Sequence, residues 1–228
     1  MSVEVAAGVS LIVAPLWFNT TFALLGKRFE YPDILRRPAT EILERFHAGG
    51  SSLILLWWTF MLSGLLLIGA VVLLGQALGF TDIVPLAVTI GVLAGLVQML
   101  GLLRWVYLVP SLARMNADPG VEVGQRQANV AVFQAMHQYL GVGVGEHLGY
   151  LFTGIWSVLT GVAIVRTELL PDWMGWVGIA VGAGLVLGSA EFLGPNEERG
   201  WALADKAIPI LYIAWSLWLL AMGVSLII

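Results

Sequence analysis

Apolar residues fall along this chain in six long runs separated by shorter polar connections, and no run shows the alternation of period two that marks a half-buried strand. A hydrocarbon layer about 30 Å thick takes roughly 20 helical residues at about 1.5 Å each. The runs predict spans at about 5–26, 51–75, 83–108, 140–165, 172–193 and 202–227. The expected architecture is therefore an all-α integral membrane bundle of six transmembrane helices, forming one domain over residues 1–228.

The connections sharpen this picture. The most polar one, KRFEYPDILRRPATEILERFHAGG, runs from Lys27 to Gly50. Pro32 and Pro38 stand where helices can begin, and Ile34, Leu35, Ile42, Leu43 and Phe46 supply an apolar face. Two short interfacial helices at about 32–48 follow, ended by Gly49 and Gly50, with Lys27, Arg28, Arg36, Arg37 and Arg45 toward anionic headgroups. In the first span Pro15 predicts a kink, and Asn19, Thr20 and Thr21 can bond back to the backbone or to neighbours. The third connection begins at Val109 and turns at Asp118-Pro119-Gly120; its lead-in, VEVGQRQANVAVFQAMHQYL, should continue helically into the fourth span. Pro171 opens the fifth span, with Trp173 and Trp176 as interface anchors, and GPNEERG follows it as a turn. Glycine and alanine dominate the fifth span, so its neighbours should enclose it tightly.

Composition agrees: 59% of the 228 residues are hydrophobic and 11% charged, and the mean hydropathy of +0.89 is too high for a soluble domain. No cysteine is present, which removes disulfides, thiolate metal sites and cysteine nucleophiles. A net charge of −4 with dispersed basic residues leaves no nucleic-acid footprint. The first run lacks a basic leader and a small-residue cleavage site before it, so it is expected to be retained. Of the eleven basic residues only Arg166 falls on the side of the second and fourth connections. The positive-inside rule then puts both termini outside and the first, third and fifth connections in the cytoplasm, with the protein in the cytoplasmic membrane.

The candidate chemistry lies on the fourth span. Glu146 and His147 stand side by side in a segment where lipid penalises both, which makes them functional candidates. At about 100° per residue, Glu146, Tyr150, Thr153, Ser157 and Thr160 share an arc of roughly 80°. Gly141, Gly145 and Gly149 form a second face, spaced by four, on which a neighbouring helix can approach closely. Counting inward puts Arg104, Glu146, His147 and Glu191 at similar depth near the cytoplasmic boundary, with Gln98 deeper. The expected ligand-binding set is Gln98, Arg104, Glu146, His147 and Tyr150, with Arg104 or His147 as the counter-charge of Glu146. Plainer readings stand beside it: Arg104 snorkelling to headgroups, Asp205 and Lys206 as an interfacial pair, Glu191 ending its span, and His137 at the surface beside Gln134 and Gln138.

No cofactor is predicted. A two-haem path needs four axial ligands at two depths, and only His47, His137 and His147 exist; one haem between His147 and His47 is left open. His137 and His147 lie about 80° off a common face, and Glu146 and His147 diverge by about 100° with no HExxH pattern, so neither pair suits a metal. GVGVGEHLG lacks the strand-turn-helix setting of a phosphate loop, and no GxSxG elbow occurs.

The segments FEYPDILRRPATEILERFHAGG, GLVQMLGLLRWVYLVP, GEHLGYLFTGIW and IAWSLWLLAMGV together resemble an uncharacterised bacterial family of multi-span membrane proteins, a domain of unknown function of the DUF4386 kind. The resemblance implies an all-helical protein of the cell membrane and brings no catalytic residue with it. The reading ranked first is binding of a small anionic or amphipathic ligand, or a lipid headgroup, in a cytoplasm-facing polar pocket. An intramembrane enzyme using Glu146 and His147 as acid and base comes second, and an accessory or homo-oligomeric subunit of a larger membrane complex third. Transport ranks last, because the external half has no polar path.

Overall fold

The computed structural model describes residues 1–80, 82–196 and 200–228. Six helices are long and apolar enough to cross a membrane: α1 (Val3–Phe29), α2 (Ala39–Ala77), α3 (Val84–Ala117), α4 (Val123–Val165), α5 (Asp172–Phe192) and α6 (Ala202–Ser225). Among the described residues there is no strand. The turn GPNEERG lies partly outside the described residues, since Glu197, Glu198 and Arg199 do.

The helices close a ring in chain order. Each packs on the next, and α6 returns to α1. Apolar burial inside a bundle gains little over burial in acyl chains, so close backbone approach and polar pairs must hold the ring together. At Gly154 and Gly182, a Cβ on either would stand 2.5–2.6 Å from the other's carbonyl oxygen, which fixes α4 against α5. Gly8 and Gly223 close the ring between α1 and α6 in the same way, at 2.6–2.7 Å. Asn19 Nδ2 donates to the Pro15 carbonyl at 2.7 Å and to Ser216 Oγ at 3.0 Å, so one side chain braces α1 beside its proline and ties it to α6. Outside the ring, Leu55, Leu65, Leu86, Leu187, Ile210 and Leu217 are each more than half exposed, as a lipid-facing surface requires.

The Lys27–Gly50 connection is helical in two short pieces, and its apolar face packs on protein. After a 3-10 turn at Asp33–Arg36, helix begins at Ala39 and bends at Gly50, whose φ of 57° and ψ of −156° suit glycine alone. Ile34, Ile42, Leu43 and Phe46 are buried against Phe29, Trp57 and Trp105, not in lipid. Trp57 and Trp105 stack at the centre of this cluster, 4.5 Å apart and 9° from parallel. The arginines are largely occupied. Arg37 and Arg45 both bond Glu30 and Glu41, and Arg36 reaches Asp205 at 3.0 Å. Asp205 thus does form an interfacial pair, but with Arg36.

Two helices contain stretches of π-helix. In α3, Arg104–Leu108 widens just before Pro110, which has no N–H to continue an α-helical ladder. The wide turn absorbs the proline, and α3 runs on to Ala117 where a loop from Val109 was expected. In α4 the lead-in does continue into the span, but His137–Leu148 is π-helical. A row spaced by four still faces α3: Gly141 lies against Arg104, Gly145 against Gly101, and Gly149 against Gln98.

Candidate functional site

The inward face of α4 carries the polar residues expected of it. Thr153, Ser157 and Thr160 are buried to 2% exposure or less. Gln98 Nε2 donates to Thr153 Oγ1 at 3.1 Å, and Trp215 Nε1 donates to Ser157 Oγ at 3.0 Å. Hydroxyls on α4 thereby join α3 to α6 across the ring. Beside Gln98 and Tyr212 lies a cavity of about 20 Å³, bounded by Pro15, Phe18, Ser63 and Trp215, with room for a single water.

Glu146 stands four residues before Tyr150 on α4. It is partly buried, and among the described residues it makes no hydrogen bond or ion pair. Its charge acts on Tyr31, Tyr150, Tyr212 and Glu191, and Arg104 acts on it. Burial pushes the Tyr31 hydroxyl up from its ordinary range; Glu146 pushes the same way and Arg104 opposes. The aromatic rings form a continuous arc. Tyr31 meets Phe22 edge-on at 5.5 Å, Phe22 stacks on Phe18 at 6.1 Å, and Phe18 stacks on Tyr212 at 6.2 Å. Tyr212 then meets Tyr150 edge-on at 5.3 Å, and Tyr150 leans on Phe192 at 5.4 Å. All six rings remain partly exposed.

Arg104 takes a different position from the one expected. At 4% exposure it does not snorkel. Its guanidinium lies 5.2 Å from the Trp105 ring centre, presses on Gly141 and donates to the Gly101 carbonyl, while its Nε has no hydrogen-bond partner among the described residues. It forms no ion pair with Glu146 among the described residues. Nor does His147 supply the counter-charge: its Nδ1 stands 2.9 Å from the Ser189 carbonyl, toward the end of α5. Neighbouring helical residues diverge, and that sends the two side chains to different walls. Of the five expected residues, Arg104 lies against Trp105 and Gly141 and His147 turns to Ser189, while Gln98, Glu146 and Tyr150 stay partly exposed.

His137 is likewise no surface group. It stacks on Phe133 at 5.7 Å, near Trp105, and its Nδ1 is buried. His47 is exposed. Among the described residues no group of three or more His, Cys, Asp or Glu stands where it could hold a metal ion.

The walls contributed by Tyr31, Phe18, Phe22 and Tyr212 escaped sequence reasoning. An aromatic residue in an apolar run or beside a proline reads as packing, and no spacing rule connects residues 31 and 212 with 146. The one available signal was that Tyr212 stands alone as a hydroxyl-bearing ring in the closing run.

No curated protein and no solved structure matches this chain. The family profile described as "Domain of unknown function (DUF4386)" matches residues 6–223. The chain, a six-helix membrane bundle, therefore belongs to the DUF4386 family.

Proposed function

We propose that the protein binds a small amphipathic molecule or a lipid headgroup in the chamber around Glu146, at the end of the ring that carries the Lys27–Gly50 connection. The observation that carries this reading is the uncommitted state of Glu146. A carboxylate inside a membrane bundle is costly and is ordinarily kept with a partner; here, among the described residues, Glu146 makes no hydrogen bond or ion pair, and the rings of Tyr31, Tyr150 and Tyr212 on which its charge acts are partly exposed. The same rings offer an apolar surface to a tail or ring on the ligand, while Gln98, Thr153 and Tyr212 provide hydrogen-bonding groups beyond it. The positive-inside rule makes this end cytoplasmic.

Mass spectrometry of the gently solubilised protein tests the reading. The expected result is a defined small molecule or lipid that co-purifies with the wild type and is depleted in Glu146→Gln, with the variant still folded. Equal recovery of the same bulk lipids from both proteins would overturn it.

A further inference from the structure

We infer that a single ordered water occupies the void between Pro15, Ser63, Gln98 and Tyr212, and that it fastens α1, α2, α3 and α6 together inside the ring. The inference goes beyond the ligand reading and stands apart from it. Glu146 does not bound this void, so either can fail without the other.

Size restricts the occupant first. The void measures about 20 Å³, and one water needs roughly 10–15 Å³ on that measure. Its walls come from four helices: Pro15 and Phe18 on α1, Ser63 on α2, Gln98 on α3, and Tyr212 and Trp215 on α6. Among the described residues none of the walls carries a charge. A bare cation would find no carboxylate there, and an anion no basic group.

Hydrogen bonding then decides between wet and dry. An apolar void stays empty, whereas one that offers a water two to four polar partners holds it. Ser63 Oγ has given its only proton to the Phe60 carbonyl at 2.6 Å, so toward the void it can only accept. Gln98 spends Nε2 on Thr153 at 3.1 Å, and its Oε1 makes no hydrogen bond among the described residues. The Trp215 N–H is committed to Ser157 and does not compete. Two acceptors thus match the two protons of one water, whose oxygen is left to accept from the Tyr212 hydroxyl. Pro15 adds a further need, because it supplies no N–H to the Leu11 carbonyl one turn earlier. Side chains and ordered waters make good such gaps in membrane helices. The outcome is a hydrogen-bonded path from Thr153 on α4 through Gln98 and the water to Ser63 on α2.

A crystal structure of the intact protein in a lipidic mesophase, at a resolution that shows ordered waters, tests the inference directly. The expected result is one density peak at about 2.6–3.2 Å from both Gln98 Oε1 and Ser63 Oγ. A map with no peak there, or with an acyl or detergent chain entering the void, would overturn it. Ser63→Val and Ser63→Ala give a second reading by thermal unfolding in one detergent. Valine puts methyl groups where the water sits and leaves Gln98 Oε1 without a partner, so Ser63→Val should melt at least about 2 °C below Ser63→Ala. In a dry void the added methyl groups replace empty space, and a Ser63→Val melt above both Ser63→Ala and the wild type would overturn the inference. Crowding alone can also lower the valine melt, so the wild-type map, which needs no substitution, has the final word.

Discussion

Three glycines in one short run of α4 have unequal duties. A Cβ on Gly141 would stand 2.6 Å from Arg104 Nη2, and one on Gly145 would stand 3.2 Å from the Gly101 backbone. On Gly143 the nearest atom would be the Gln138 carbonyl oxygen at 3.6 Å, an ordinary contact. Gly141→Ala should therefore displace the buried guanidinium and lower stability by about 1–3 kcal/mol. Gly143→Ala should be neutral, or stabilising by up to about 1 kcal/mol through helix propensity. Thermal unfolding of both variants in one detergent checks the pair, and equal losses would contradict the placement of Arg104. The row of Gly141, Gly145 and Gly149 was legible from its spacing alone, because close helix approach selects small residues at intervals of four. What it would touch was not. Spacing reports a face and leaves the partner open, and the burial of Arg104 depends on α3 arriving at one particular height.

At the scale of the element, the Lys27–Gly50 connection shows how local geometry and charge fix a short segment. Gly50 turns the chain between the surface helix and the span of α2 in a backbone region closed to other residues. Gly50→Ala should straighten or strain that bend and cost about 1–3 kcal/mol, seen as a lower melting temperature and loss of protection in residues 31–49. Charge gives a second handle. Hydrogen bonding from Arg45, with the charges of Arg37 and Arg45, holds the Glu30 carboxyl below its ordinary value. A lowered folded-state pKa means that the stabilisation is complete above the unfolded value, near 4.5, and is lost as pH falls through the folded one. Hydrogen exchange corrected for intrinsic rates should show residues 31–49 loosening on acidification from about pH 6 to about pH 3, with the spans unchanged. Glu30→Gln should remove most of that dependence. The prolines and the double glycine announced the short helices, but an apolar face on a short helix suits lipid and protein equally. Only the aromatic cluster of Phe29, Trp57 and Trp105 decides for protein. Pro110 misled in the opposite sense: it reads as a stop, yet the π turn before it lets α3 continue.

For the whole molecule, the six helices close into a ring in which α6 returns to α1. Hydropathy made the six spans legible, whereas ring closure was not, because it depends on Gly8 meeting Gly223 and on Asn19 meeting Ser216, pairs about two hundred residues apart. Charge sets the expectation for the side of the membrane. Ten of the eleven basic residues cluster with the first, third and fifth connections, so the end of the ring that carries them should face the cytoplasm. The absence of cysteine makes this testable without background, since any thiol introduced is unique. His47, Asp118 and Glu168 are all exposed, the first two in or beside connections on the basic side and the third on the other. In intact cells a membrane-impermeant maleimide should label Glu168→Cys, and should label His47→Cys and Asp118→Cys only after lysis. The reverse pattern would leave the helix ring intact but turn the chamber outward. Any ligand of the kind proposed above would then have to come from the medium or the outer leaflet instead of from the cytoplasmic face.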